Sequence, residues 1–131
     1  MKAYAIVIRG NEVSEKGYEK LLESYLKYNQ EFSLKKFNAI TPKNVDTKLN
    51  EANIKWNYPW EGEIVDFQTG LTKKAYPTKN HKARIACAMS HFILWEKCVN
   101  SGEPTLILEH DAVFIKNINF LPEDTGYEVI G

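Results

Sequence analysis

A chain of 131 residues with 44% hydrophobic and 26% charged side chains is long enough for one ordinary globular domain, one that buries roughly two thirds of its unfolded surface. Seventeen basic and seventeen acidic residues cancel to a formal charge of zero, so no global field draws the protein to nucleic acid or to anionic lipid. The N-terminal apolar run is too short for a signal-peptide core or a spanning helix and turns polar at Arg9, which leads us to expect a cytoplasmic protein with no membrane span.

In chain order, Tyr4, Ile6 and Ile8 alternate with Ala5 and Val7, and this continuous apolar run predicts a first strand over 3–8, buried on both faces. Ser14 is the expected N-cap of an amphipathic helix over 15–29, whose apolar side is Tyr18, Leu21, Leu22, Tyr25 and Tyr28; Gly17 weakens only its first turn. Residues 33–40 read as a second strand, so the chain opens with a parallel strand, helix, strand unit. Thr41-Pro42 predicts entry to a short helix over 43–52. Residues 53–82 carry Trp56, Tyr58, Trp60, Phe67 and Tyr76 among glycines and prolines, as befits a lid, a binding surface or a satellite apolar cluster.

A helix over 83–100 follows. Its apolar residues lie on several sides, from Ile85, Met89, Phe92 and Val99 to Cys87, Leu94 and Cys98, which predicts a buried helix. Cys87 and Cys98 are eleven residues apart, about 16 Å along a helix, too far to pair with each other; buried, reduced thiols are expected. His91, among apolar neighbours, reads as a hydrogen-bonded structural residue. After a turn at 101–104, a strand over 105–109 ends at Glu109, His110 and Asp111. Continued alternation puts Glu109 and Asp111 on one side, about 6.6 Å apart along the backbone, with His110 opposite. Two hard oxygen donors at this spacing suit a divalent cation, and in a parallel α/β sheet the carboxyl ends of strands open into the ligand crevice; on spacing alone the competing reading is that the two carboxylates only cap a turn or solvate the strand end. Residues 117–122 read as a loop with Ile118 and Phe120 turned inward, and 127–130 as a last strand.

Other constellations are weaker. Neither a dinucleotide fingerprint nor a Walker motif follows the first strand. Ser90 and His91 are adjacent on a helix, about 100° apart, and cannot work as nucleophile and base. A metal hydrolase built on His81, His91, His110 and Asp111 is a competing reading, although no two of these histidines share a short spacing.

The stretch from Ala83 to Trp95, with Cys87, Ser90-His91 and Trp95, followed by Leu106 to Glu109, His110, Asp111 and Phe114, resembles glycosyltransferase family 25, the lipopolysaccharide-biosynthesis group. That family shows a Gly-Glu-Ile-Gly-Cys, Ser-His and Trp pattern and then an apolar strand ending Glu-Asp-Asp. Here Arg84 and Ala86 replace the Glu and the Gly, and His110 takes the middle of the acidic triplet. The resemblance implies a GT-A type, Rossmann-like three-layer α/β sandwich with a mostly parallel sheet, present as a single truncated domain over 1–131. It also implies sugar transfer from a nucleotide donor, a UDP-sugar, to a saccharide acceptor such as lipopolysaccharide. Manganese or magnesium on Asp111 and Glu109 would assist departure of the diphosphate. Arg9, Asn38, Arg84, Glu109 and His110 are the expected nucleotide contacts. Glu61, Glu63 and Asp66 are the candidates for the base of an inverting transfer. Because members of the family extend further, the short chain is expected to transfer sugar poorly alone, and a non-catalytic nucleotide-sugar or glycan-binding module is the alternative.

Overall fold

The structure, a computed structural model, describes residues 1–57 and 61–119. The contacts divide the chain into two units, Met1–Ala39 with Ser90–Gly131, and Ile40–Met89. The first unit is α/β and Rossmann-like. Its strands β1 (Lys2–Val7), β2 (Ser33–Asn38) and β5 (Thr105–Glu109) form a parallel sheet in the order β2-β1-β5. The helix α1 (Glu12–Lys27) connects β1 to β2. In the second unit lie α2 (Val45–Glu51) and an antiparallel hairpin of β3 (Glu63–Val65) and β4 (Thr72–Lys74). Helix α3 (His81–Ser101) begins in the second unit and ends in the first. The strand expected at 127–130, the inward turn of Phe120, and Tyr58 and Trp60 lie outside the described residues.

One side of β1 carries Ala3, Ala5 and Val7, all fully buried, and the other carries Lys2, Tyr4 and Ile6, which are half-buried. The expectation of a strand buried on both faces therefore holds for one face only. On that face the small side chains join a core completed by Leu21 of α1, by Phe32 and by Phe114. Tyr25, Phe32 and Phe114 pack as three rings with centroids 5.9 to 6.2 Å apart, within the range of favourable tilted contact.

Helix α1 starts three residues earlier than its apolar periodicity suggests. Asn11 is its N-cap, its side chain accepting the Ser14 N–H at 3.0 Å. Ser14, the expected cap, is instead buried one turn in, where its hydroxyl accepts the Ile8 N–H at 2.8 Å and satisfies the last amide before the β1–α1 turn. Gly10, with φ of +77°, makes that turn.

Residues 110–118 are lashed along α1. The Phe114 N–H donates to Ser24 Oγ at 2.9 Å; Gln30 donates to the Lys116 carbonyl and accepts the Ile118 N–H, both at 2.8 Å. Asn117 Nδ2 donates to the Tyr28 and Asn29 carbonyls at 3.1 and 2.9 Å, closing the C-terminal end of the helix. Ile118 packs on the core, as expected. Gly17 belongs to the same contact, because a Cβ there would stand 2.7 Å from the His110 carbonyl oxygen. Its role is close approach, which the sequence reading missed.

Helix α3 is less buried than its composition predicts. Met89, Ser90 and Leu94 are buried, whereas Trp95 and Val99, one turn apart on one side, are 57% and 80% exposed. Cys87 is exposed and Cys98 half-buried, which corrects the expectation of two buried thiols; the two do not form a disulfide with each other, as expected. The stretch 53–82 holds the hairpin rather than an irregular lid, and Phe67 and Tyr76 are exposed, so neither joins a satellite cluster.

Two outcomes are expected. Gly17→Ala should destabilise the fold by about 1–3 kcal/mol through overpacking, against the ~1 kcal/mol that helix propensity alone would add; a raised urea midpoint at unchanged m-value would contradict this. Native-state alkylation read by mass spectrometry should modify Cys87 before Cys98, whose thiol donates to the Glu103 carbonyl at 3.4 Å; equal slow labelling of both would contradict it.

Candidate functional site at the carboxyl edge of the sheet

The parallel register decides which residues meet. Val7 stands opposite Asn38 and Ile6 opposite Glu109, so β1, β2 and β5 end along one edge of the sheet. The chain passes from β1 to one neighbour through α1 and returns to the other side of β1 as β5. The edge between β1 and β5 is thus a point where the strand connections reverse direction, the place where ligands bind in open α/β sheets. Arg9 lies just beyond β1, Asn38 ends β2, Glu109 ends β5 and Asp111 follows two residues later; all four are exposed. The sheet therefore gathers four of the residues expected from sequence.

Their local geometry differs from simple alternation. The strand stops at Glu109, and the Ala112 N–H donates to the Glu109 carbonyl at 3.1 Å, which closes a turn containing His110 and Asp111. Asp111 is consequently not the extended i+2 neighbour of Glu109. His110 is half-buried, its backbone and ring against Gly17. Among the described residues, neither Glu109 nor Asp111 is paired with a lysine or arginine.

His91, read from sequence as structural, reaches the same edge. Its Nε2 lies 3.4 Å from Glu109 Oε1, an ion pair when the imidazole is protonated, and its ring centroid is 6.4 Å from that of Trp95. The Ser-His and Trp portion of the helix and the acidic end of the strand, some eighteen positions apart, are thus one assembly.

Glu15 was missed, because nothing in an amphipathic helix marks one exposed glutamate above others. Its carboxylate pairs with Lys36 of β2 and accepts the Gly10 N–H at 3.4 Å, bracing the β1–α1 turn beside Arg9 and Asn38. The hydrogen bond from Lys36 is the main reason its carboxyl lies below the ordinary value; burial, the next largest effect, opposes it, and the Gly10 N–H and the charges of Lys36 and Arg9 add to the lowering.

The other sequence-selected residues belong to the second unit. Asp66 organises the hairpin, its Oδ1 accepting the Gln68 and Thr69 N–H groups at 3.0 and 3.4 Å, and these bonds hold its carboxyl below the usual range. Glu61 and Glu63 are exposed beside it. Arg84 Nη1 donates to the Tyr76 carbonyl and to Thr78 Oγ1, both at 3.1 Å.

Because the folded-state pKa of Glu15 is depressed, its stabilisation is fully present above the ordinary carboxyl value of 4.5 and is lost as pH falls through the lower folded value. The stability difference between the parent and Glu15→Gln should therefore be largest near neutrality and shrink below about pH 4.5. A difference that grows on acidification would show that the Lys36 pair does not stabilise the turn.

Among the described residues, no helix is long and apolar enough to cross a membrane. No curated protein matches the chain. The model of glycosyltransferase family 25 (LPS biosynthesis protein) matches residues 15–125, a span that takes in most of α1 and all of α3, β5 and the Glu109–Asp111 strand end. With most of its length covered, and with the Ser-His helix and the acidic strand end joined through His91 and Glu109, the chain belongs to glycosyltransferase family 25.

Proposed function

We propose that this domain binds a nucleotide sugar, a UDP-sugar, across the carboxyl edge of its sheet and serves its transfer to a saccharide acceptor such as lipopolysaccharide or another surface glycan. The observation that carries the reading is the convergence of Arg9, Asn38, Glu109 and Asp111 beside β1 at the reversal point of the strand connections. Asn38 offers both a donor and acceptors to a ribose or base, and Arg9 a planar set of donors. Both are exposed at strand ends.

The donor set suits a divalent cation. Glu109 and Asp111 are exposed carboxylates without a lysine or arginine partner among the described residues. Magnesium and manganese are bound through one or two such groups plus waters and substrate phosphate oxygens. When bound, the cation would neutralise charge on the departing diphosphate. The chain's own contribution is positional: Asp111 lies within the turn that the Ala112 N–H closes on the Glu109 carbonyl, and His91 contacts the Glu109 carboxylate from α3. Such outer partners typically set metal affinity by 10- to 100-fold.

Calorimetric titration with UDP, with and without manganese, tests the reading. The parent should bind UDP in a manganese-dependent manner. Asp111→Asn and Glu109→Gln should each weaken it by on the order of 10- to 100-fold or more, and His91→Ala by less. Equal manganese-dependent binding by Asp111→Asn would move the site elsewhere.

A further inference from the structure

Residues 8–11 connect β1 to α1, and two backbone amides of this connection are taken by side chains at the start of the helix. The Ile8 N–H donates to Ser14 Oγ at 2.8 Å and the Gly10 N–H to Glu15 Oε1 at 3.4 Å. Arg9 stands between these anchors, so its backbone is held from both sides while the residue stays exposed.

Glu15 has a second attachment. Its Oε2 pairs with Lys36 Nζ, and Lys36 belongs to β2, opposite Ala5 of β1 and two residues before Asn38. One carboxylate therefore ties the turn that carries Arg9 to the strand that carries Asn38. Lys36 Nζ also lies 5.4 Å from the centre of the Tyr18 ring, a second contact with α1. Lys36 and Glu15 keep only 34% and 33% of their side-chain surfaces exposed, so the pair is screened less than one standing free in solvent.

Glu12 and Glu15 together make the first turn of α1 acidic. That charge disfavours a phosphate at the β1–α1 turn and suits the neutral part of a nucleotide, its ribose and base. We infer that Glu15 is a positioning residue of the nucleotide site: without touching the ligand, it fixes the spacing of Arg9 and Asn38 that receives the uridine part of the donor. The inference rests on the nucleotide-sugar reading above and adds to it how the nucleoside end is preorganised. Contacts fixed in advance spare binding the cost of ordering them.

Titrations of the whole chain with UDP plus manganese, by calorimetry, and with uridine, by ligand-observed NMR, provide the test. Glu15→Ala should weaken both ligands by the same factor, on the order of tenfold, and Glu15→Gln by less, because an amide oxygen still accepts from Gly10. Lys36→Met should weaken them as much as Glu15→Ala, and the double variant no further, since both changes remove one link. Tyr25→Phe is the control for stability alone. It deletes a hydrogen bond to the Phe32 carbonyl near the other end of α1, and should lower the urea midpoint with both affinities unchanged. UDP affinity unchanged in Glu15→Ala, a loss for UDP with uridine untouched, an equal loss in Tyr25→Phe, or a parent that binds UDP but not uridine would each overturn the inference and leave the nucleotide reading in place. A parent chain that binds neither ligand overturns both.

Discussion

Placing β1 between two parallel neighbours is the constraint from which the candidate site follows. Parallel pairing makes all three strands end at one edge, and the register of β1 with both partners puts Asn38, Arg9 and Glu109 there together. The central position needs a face that a helix can approach closely. Ala3, Ala5 and Val7 supply it, fully buried in a core shared with Leu21. Small side chains on this face let backbone layers approach, and the surrounding rings of Tyr25, Phe32 and Phe114 fill the remaining volume.

The segment after β5 depends on that helix. It is held to α1 by the core packing of Phe114 and Ile118 and by polar side chains that complete backbone groups: Ser24 for Phe114, Gln30 for Lys116 and Ile118, Asn117 for the helix end. Buried or half-buried backbone groups left without partners are costly, so each of these bonds restricts where the segment lies. Since Asp111 begins the same segment, the position of a proposed cation ligand is set by contacts as much as ninety residues away in sequence. Gly17 marks the tightest point of this packing.

Family membership and local chemistry meet at His91 and Glu109. A motif split between a helix and a strand has no chemical meaning until the two halves touch, and here the imidazole and the carboxylate are 3.4 Å apart. The departures from the family pattern fall in two places with different consequences. His110, in the middle of the acidic triplet, turns into the packing against α1, so the flanking carboxylates keep their exposure. Arg84, in place of a glutamate, donates to the Tyr76 carbonyl and the Thr78 hydroxyl within the second unit.

The α/β class, the strands near 3–8, 33–40 and 105–109, the three helices and the acidic strand end were legible in the sequence, because each rests on a local period or a local break in it. So was the family, through residues that lie close together in the chain. What was not legible depends on which neighbour arrives. Asn11 rather than Ser14 caps α1 because Ser14 is taken by the Ile8 amide. Glu109 and Asp111 part from strand alternation because the ladder ends at Glu109 and the backbone closes a turn. Trp95 and Val99 are exposed, and Cys87 with them, because hydrophobicity on all sides of a helix does not say which sides are covered. Gly17, Glu15 and His91 acquired their roles only when α1, β2, α3 and the end of β5 were brought together, since the groups they serve, His110, Lys36 and Glu109, are distant in sequence and close only in the fold.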